Sequence, residues 1–345
     1  MLALRYYGQR DIRLQDIDVP EIKNSEVLVK ITDAGISQTQ INEFIEGPFI
    51  INKTPFTPCQ EFGGVVEKVV DKEDSSLLNK MVAVLPLVAC GKCEYCKNGN
   101  EQLCNELAYH GLLGLDGGFA EYCAVNKKNL FFIEKQELLT FIEPILIGIH
   151  SANQYLKFGD IKGKNVLVLG AGAVGVSIAS VWRDYFKANI AISEFLQKRA
   201  NRAKECGFFV LEQKELKQKF DIVIDAAGMD TMADIPAFKE GFDYLKKGGT
   251  LLNIGTYFHP LEIVPSKILI SEHSIITSIM YNSKDVKMLG DVVKSLKVDF
   301  SKFIKEIPLV DIIEDGYYAI EIDKEDFVRI VVKPSNDKAD RRFCK

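Results

Sequence analysis

The segment at residues 165–175, NVLVLGAGAVG, constrains the fold more than any other part of the chain. The apolar run at 166–169 predicts a buried strand, because it is short and ends at a glycine. A G-x-G-x-x-G turn follows, and residues 176–185 then show a helical pattern. Strand, glycine turn and helix in this order predict a βαβ unit that holds the pyrophosphate of a dinucleotide at the helix N-terminus. The turn residues predicted to bind this cofactor are Gly170, Gly172, Ala173, Val174 and Gly175.

An acidic residue at the expected distance supports this interpretation. Glu194 lies nineteen residues after Gly175, just beyond a second apolar run at 188–192. A carboxylate there accepts hydrogen bonds from the adenosine ribose and repels a 2′-phosphate, which predicts NAD rather than NADP. Arg199 is a further cofactor-binding candidate, and its charge, with that of Lys198, could weaken the repulsion. The alternative is a glycine turn in an unrelated α/β unit.

The strand and helix patterns predict two domains in an α/β protein. Across residues 151–285 strands alternate with helices, with strands at 166–169, 190–192, 222–225 and 250–254, which predicts a doubly wound parallel sheet. Residues 1–150 are β-rich, with strands predicted at 26–31, 64–70 and 81–84. Short strands such as 327–332 return after residue 285. We therefore expect residues 286–345 to complete the first domain.

Composition excludes several classes of function. The 345-residue chain has a net charge of −5, so it lacks the basic surface of a nucleic-acid-binding protein. No apolar run is long enough to span a membrane. The N-terminus, MLALRYYGQRDIRLQ, carries charges too early for a signal peptide. A cytoplasmic protein is therefore expected.

Four of the eight cysteines form a cluster with metal-ligand spacing. Cys90, Cys93, Cys96 and Cys104 give the pattern C-x2-C-x2-C-x7-C. Four thiolates can close a tetrahedral shell around zinc, which leaves no coordination site for a substrate and makes the predicted zinc structural. An iron–sulfur cluster is the alternative metal centre, and four unligated cysteines are the other alternative.

The cysteine cluster followed by the dinucleotide turn resembles the zinc-containing medium-chain dehydrogenase/reductase family of alcohol and polyol dehydrogenases. Further segments fit the family pattern: GGFAEY at 117–122, EPILIGIH at 143–150 (similar to the sorbitol dehydrogenase branch), DAAG at 225–228 and GGT at 248–250. The resemblance implies a GroES-like β-rich catalytic domain, with a zinc lobe at about 88–106, interrupted by a Rossmann domain. It also implies that the cofactor lies in the cleft between the two domains.

The chain departs from this family at the catalytic zinc. The family takes a cysteine from a G-x-C-G-S/T-D segment and a histidine from a GHE segment. Here the first segment is AGISQTQ at 34–40, with Ser37 at the cysteine position. The second is CQEFGG at 59–64, with Gln60 at the histidine position. Serine and glutamine are poor zinc ligands, so we predict that no catalytic zinc is bound, although Glu61 and Glu143 remain at matching positions.

Two residues offer substitute ligands. Cys59 is adjacent to the lost histidine and could act with Glu61, although this shifts the usual ligand pattern. His110 follows the cysteine cluster, and a hydrogen-bonded loop histidine is the favoured alternative for it.

Without zinc, the predicted catalytic residues are Ser37, Thr39, Gln60, Glu61 and Glu143. Thr39 matches the family's hydroxyl that relays the proton of the alcohol, and Ser37, Gln60 and Glu61 could bind a substrate hydroxyl. Glu61 or Glu143 could act as the general base if burial raises its pKa. The alternative is that both glutamates only pair with a nearby arginine. Arg329 resembles a basic residue near the family's cofactor, with a solvated strand-edge charge as its alternative.

Two functions of different class follow. The first is an NAD-dependent oxidoreductase that interconverts a secondary alcohol and a ketone on a polyol or sugar-like substrate. The second is a non-catalytic NAD-binding protein that serves as a sensor or scaffold. A third interpretation, a zinc-independent quinone-type reductase, is less well supported, because such relatives usually lack the cysteine lobe. The resemblance also implies a homodimer or homotetramer that pairs through an edge strand near residues 269–279.

Overall fold

The computed structural model describes residues 1–211, 219–228, 236–322 and 328–334. The chain divides into two compact units, Met1–Glu143 with Ile304–Lys345, and Pro144–Phe303. The sequence patterns place these divisions at 150 and 286 instead. Residues 286–303 join the second unit because their side chains and backbone bond within it; for example, the Lys297 N–H donates to Asp184 at 2.9 Å. Within the described residues, no helix combines the length and apolarity needed to cross a bilayer.

The strands, in chain order, are β1 (Leu2–Gly8), β2 (Asp11–Asp16), β3 (Glu26–Gly35), β4 (Phe62–Val69), β5 (Met81–Val84), β6 (Leu87–Val88), β7 (Ala108–His110), β8 (Gly114–Leu115), β9 (Tyr122–Asn126), β10 (Leu130–Phe132), β11 (Asn165–Leu169), β12 (Asn189–Ser193), β13 (Phe209–Leu211), β14 (Phe220–Asp225), β15 (Leu245–Asn253), β16 (Ser274–Thr277), β17 (Ile304–Pro308) and β18 (Arg329–Lys333). The helices are α1 (Gln38–Ile45), α2 (Glu94–Lys97), α3 (Ile142–Tyr155), α4 (Ala173–Asp184), α5 (Gln197–Glu205), α6 (Ala237–Gly241), α7 (Pro265–Ile270), α8 (Ser283–Ser295) and α9 (Ala319–Ile322), which follows a π-helical segment at Ile312–Tyr318.

The first unit is built around a seven-stranded sheet. Its order is β10-β5-β4-β3-β18-β17, and β9 pairs with β3 as well. The long strand β3 is central because it pairs with β4, β9 and β18, and most of its side chains are buried. Strand β18 pairs with β3 from the far end of the chain. The predicted strand at 327–332 begins at Arg329, and its first residue, Phe327, lies outside the described residues.

The second unit contains a six-stranded parallel sheet in the order β13-β12-β11-β14-β15-β16. With β11 counted as the first strand, this is the strand order of a dinucleotide-binding fold. Strand β11 is buried from its second residue onward, and α4 follows it across the glycine turn. The predicted fold class is therefore confirmed.

The edge of this sheet differs in detail from the sequence prediction. The expected edge strand was placed near residues 269–279, but Leu269 and Ile270 end helix α7 and the strand is limited to Ser274–Thr277. Pro265 explains the difference, because it occupies the first helical turn, where its fixed φ favours a helix.

Candidate active site

The two residues at the lost zinc-ligand positions bond to each other. The Gln60 Nε2 donates to Ser37 Oγ at 2.9 Å. The Gln60 Oε1 in turn accepts from Gln40 Nε2 at 2.7 Å. Gln40 and Gln60 are 3% and 5% exposed, so these bonds form in the interior, where an unpaired amide would be costly. Two neutral amides and a hydroxyl that satisfy one another do not make a zinc site.

Ser37 has a second role that the sequence explains. It is the N-cap of α1, and its hydroxyl accepts from the Gln40 backbone N–H at 3.4 Å. The Gln40 side-chain oxygen accepts from the Ser37 backbone N–H at 3.0 Å, which completes a capping box. Serine and a glutamine three residues later are the typical residues of this motif. The same side chains therefore both begin the helix and satisfy the polar atoms of Gln60.

Glu61 forms a buried ion pair with Arg329. Their side chains are 3% and 1% exposed. The Arg329 Nη1 also donates to the Ile36 carbonyl at 3.1 Å, and its guanidinium lies 5.3 Å from the Phe141 ring centroid. Burial raises the pKa of Glu61, and the charge of Arg329 opposes that rise. Arg329 is thus a buried partner of Glu61, and the alternative of a solvated strand-edge charge is wrong.

Glycine at position 35 makes room for this arginine. A Cβ atom on Gly35 would lie 2.9 Å from Arg329 Nη1. Real Cβ atoms do not approach a neighbour so closely, so a larger residue at position 35 would displace the guanidinium.

Glu143 occupies the first turn of α3 and has a different environment. Its Oε1 accepts from the Tyr109 hydroxyl at 2.7 Å, and the residue is 7% exposed. Burial, and then the nearby charge of Glu61, raise the pKa of Glu143 to about 8, against the lowering effects of Tyr109 and Arg329. The pKa of Glu143 therefore lies near neutral pH, and its closest partner is a neutral hydroxyl, whereas Glu61 contacts a guanidinium.

The other residues considered from the sequence are Thr39, Cys59 and His110. Thr39 is half-buried in the first turn of α1. The Cys59 thiol is fully buried and donates to the carbonyls of Gly35 and Glu61, both at 3.5 Å, and burial raises its pKa. His110 bonds the Asp116 carbonyl at 2.8 Å, and burial lowers its pKa. The geometry favours a hydrogen-bonded histidine, at the end of β7 rather than in the expected loop, and a protonated Cys59 thiol over a rebuilt metal site at these two residues.

The four clustered cysteines have the geometry that a metal requires. Among the described residues, they are the one group of three or more potential ligands whose donor atoms all lie within 4.8 Å of one another. Neighbouring sulfur atoms are 3.5 Å apart in the pair Cys93–Cys96 and 3.9 Å apart in Cys90–Cys96 and Cys93–Cys104. A tetrahedron with zinc–sulfur bonds of about 2.3 Å has edges of about 3.8 Å. The cluster therefore fits a structural zinc ion.

The glycine turn of the second unit is shaped to receive a phosphate. Gly170 has φ +99°, a left-handed conformation that favours glycine. A Cβ on Gly172, the N-cap of α4, would meet no atom within 4 Å, whereas one on Gly175 would lie 2.1 Å from the Gly170 carbonyl oxygen. Gly175 is thus required for packing. Gly172 instead leaves open space at a helix N-terminus, where a pyrophosphate can approach the backbone.

Glu194 lies beside this turn. Its Oε2 accepts from the Ala171 N–H at 2.8 Å, and its Oε1 accepts from the Leu196 N–H at 2.9 Å. These bonds fix the carboxylate next to the glycine turn, and each oxygen retains a second lone pair for a ribose hydroxyl. Arg199 lies in the first turn of α5, and Ala173 and Val174 begin α4.

Sequence reasoning missed two members of the first unit's cluster, Gln40 and Tyr109. The signal for Gln40 was present, because the S-x-x-Q pattern of 37–40 is a capping box. Tyr109 had no sequence signal, because its approach to Glu143 across 34 positions depends on tertiary structure.

The comparisons with known proteins agree with this architecture. Residues 23–135 match the family described as the alcohol dehydrogenase GroES-like domain. The chain is similar to an (R,R)-butanediol dehydrogenase of Neisseria gonorrhoeae, with 25% identity over 97% of this chain and 100% of the relative. It is 28% identical to D-arabinitol dehydrogenase 1 of Uromyces fabae, over 81% of this chain and 82% of that one. In fold it resembles an alcohol dehydrogenase of Escherichia coli CFT073 complexed with NADH, with a TM-score of 0.83, 24% identity and coverage of 97% and 99%.

Proposed function

We propose that this chain is a member of the zinc-containing medium-chain dehydrogenase/reductase family and that it interconverts a secondary alcohol and a ketone on a polyol or sugar-like substrate, using NAD(H) and no catalytic zinc. The family assignment and the oxidoreductase activity agree with the polyol and butanediol dehydrogenases to which the chain is similar. One zinc per chain belongs to the cysteine cluster, where it is structural.

The observation that carries the zinc-free proposal is the environment of Glu143. Gln60 and Ser37 satisfy each other, and Glu61 is paired with Arg329. Among the described residues no ion pair involves Glu143, which accepts from the Tyr109 hydroxyl and has a pKa of about 8. An acid–base group is most effective when its pKa is near the working pH, so Glu143 is the proposed general base.

The residues then have separate tasks. In alcohol oxidation, Glu143 accepts the hydroxyl proton, and Thr39 relays it where the substrate oxygen does not reach the carboxylate directly. The buried ion pair of Glu61 and Arg329 maintains the geometry of the site. Ser37 and Gln60 provide polar atoms that can bind a substrate hydroxyl. A bound NAD⁺ would supply the acceptor for the hydride of the carbinol carbon.

We assign the preference for NAD over NADP to Glu194. Its carboxylate is fixed beside the glycine turn and would repel a 2′-phosphate. NADH is therefore expected to bind more tightly than NADPH, and Glu194→Ala should reduce that preference. Tighter binding of NADPH by the wild type would contradict the assignment.

For the assembly we propose a dimer through the second unit, or a dimer of such dimers. Strand β16 is an edge of the parallel sheet, and large apolar side chains near it are exposed: Leu269 by 77%, Ile270 by 75% and Ile279 by 55%. An exposed strand edge with apolar neighbours favours pairing with a second copy across a two-fold axis.

The test of the proposed reaction combines turnover with metal analysis. A panel of polyols, sugar alcohols and diols is assayed with NAD⁺, and zinc is counted in the purified protein. We expect turnover with about one zinc per chain, since one four-cysteine shell holds one ion. Binding of NADH without any turnover would favour the non-catalytic alternative. About two zinc ions per chain would contradict the zinc-free site.

Glu143→Gln tests the base. Loss of a general base costs about 10²–10⁴-fold in rate, and NADH binding should be unchanged. Glu134→Gln is the matched control, because Glu134 is an exposed glutamate of the same unit. Full activity of Glu143→Gln would remove Glu143 from the mechanism.

A further inference from the structure

Tyr109 is fixed by the backbone on both sides. It is the middle residue of β7, which pairs with β6 at Leu87 and with β8 at Gly114. Its N–H donates to the Leu113 carbonyl at 2.7 Å. The residue is 2% exposed, so its ring cannot turn toward solvent without disturbing this small sheet.

The Tyr109 hydroxyl donates to Oε1 of the Glu143 carboxyl group. The bond to Oε1 is 2.7 Å long, in the range of a strong hydrogen bond to a carboxylate. Two charged groups act on Glu143: Glu61, which raises its pKa, and Arg329, which lowers it. Tyr109 is therefore the neutral donor that distinguishes one oxygen of Glu143 from the other.

We propose that Tyr109 is a positioning residue for the acid–base group: by holding Oε1 of Glu143 it directs Oε2 to the substrate oxygen and stabilises the carboxylate that accepts the proton. This inference rests on the proposed function, in which Glu143 is the base.

The step balances with the groups already named. In oxidation the substrate O–H bond breaks and its proton moves to Oε2 of Glu143. The carbinol C–H bond breaks with its electron pair, which leaves as hydride to NAD⁺, and the C=O bond forms. The substrate is oxidised and NAD⁺ is reduced. In ketone reduction the protonated Glu143 returns the proton to the substrate oxygen.

The experiment compares Tyr109→Phe with the wild type. A hydrogen bond to the charged form of an acid lowers its pKa, so removal of the hydroxyl should raise the pKa of Glu143. The pH midpoint of alcohol oxidation should move up by about one unit or more, since a bond to a charged group has an energy equal to roughly one to two units of pKa. The midpoint is also measured without substrate, by carboxyl ¹³C NMR of the protein, with Glu143→Gln to assign the signal.

Tyr7→Phe is the matched control. It removes another tyrosine hydroxyl of the same unit, one that bonds Gln15 at 2.9 Å, and should leave the midpoint unchanged. An unchanged or lowered midpoint in Tyr109→Phe, with Glu143→Gln inactive, would overturn the role of Tyr109 and leave the proposed function intact. An active Glu143→Gln would instead overturn the proposed function.

A second variant covers the case in which Tyr109→Phe does not fold. 3-Fluorotyrosine at position 109 keeps the ring and makes the hydroxyl a stronger donor, so the midpoint should fall. A rise or no change would count against the proposal.

Discussion

Glu61 and Glu143 have the same functional group, and their neighbours decide what each can do. The guanidinium of Arg329 favours the charged form of the buried Glu61, and loss of either partner leaves the other buried and unpaired. A buried carboxyl group whose closest partner is a tyrosine hydroxyl is free to lose and regain a proton. Sequence analysis left the choice of base open, because Arg329 and Tyr109 lie 268 and 34 positions from the glutamates that they contact.

The lost zinc site yields a prediction about three residues. The family pattern G-x-C-G-S/T-D ends in an aspartate where this chain has Gln40, and Gln40 bonds Gln60 at 2.7 Å. A histidine that binds metal usually donates its other N–H to a carboxylate, and loss of that carboxylate costs about 10–100-fold in metal affinity. Ser37→Cys with Gln60→His should therefore bind a second zinc weakly, and addition of Gln40→Asp should tighten it by that factor. Competition with a chromophoric chelator measures both affinities.

Equal affinities in the double and triple variants would show that Gln40 does not stand in for the aspartate. A wild-type protein that binds a second zinc would contradict the proposal that its active site binds no zinc. Zinc at the cysteine cluster serves as the internal reference in each titration.

At the scale of elements, the cysteine lobe is the connection between β6 and β7. Cys90 follows β6 by two residues and Cys104 precedes β7 by four. Cys96→Ser should lower the zinc content and the melting temperature, because such a lobe folds around its metal. Since β7 carries Tyr109, the variant should also lose activity under conditions in which it remains folded. Metal analysis and thermal unfolding measure the effects, and zinc content equal to that of the wild type would contradict the four-cysteine site.

The glycine turn gives a prediction in which two neighbouring glycines respond differently. Gly172→Val should fold, because the added Cβ meets open space, but it should not bind NADH, because the side chain fills the pyrophosphate position. Gly175→Ala should instead destabilise the protein, since its Cβ would overlap the Gly170 carbonyl. Thermal unfolding with and without NADH separates the two effects. Tight NADH binding by Gly172→Val would contradict the turn's assignment.

The sequence predicts elements well where one local pattern decides them. The strand over β11, the turn and helix α4 each follow from adjacent residues, and the structure shows them within a few positions. Short elements without such a pattern were missed, as with β13 and the exact extent of β16. The hydrogen-bonded ring of Ser37, Gln40 and Gln60 could be anticipated only in part, because the capping box is local whereas the bonds to Gln60 cross 20 and 23 positions.

At the scale of the whole molecule, the expected assembly depends on the edge of the second unit's sheet. Strand β16 has β15 on one side, and among the described strands none pairs with its other side. Ile275 lies within this edge strand and is 42% exposed. A dimer joined here would cover apolar side chains and satisfy the backbone groups of the edge, which otherwise remain open to unspecific pairing.

The wild type is therefore expected to be a dimer, or a tetramer built from such dimers, in light scattering at micromolar concentration. Ile275→Lys should shift it toward smaller species, because a charge on an edge strand opposes pairing with a second copy. Ile322→Lys is the matched control: it introduces the same charge at an apolar residue of the first unit that is 85% exposed. A monomeric wild type would refute the assembly itself. If Ile275→Lys kept the wild-type mass, the interface would have to lie elsewhere, and if both variants dissociated, added charge rather than the β16 edge would explain the effect.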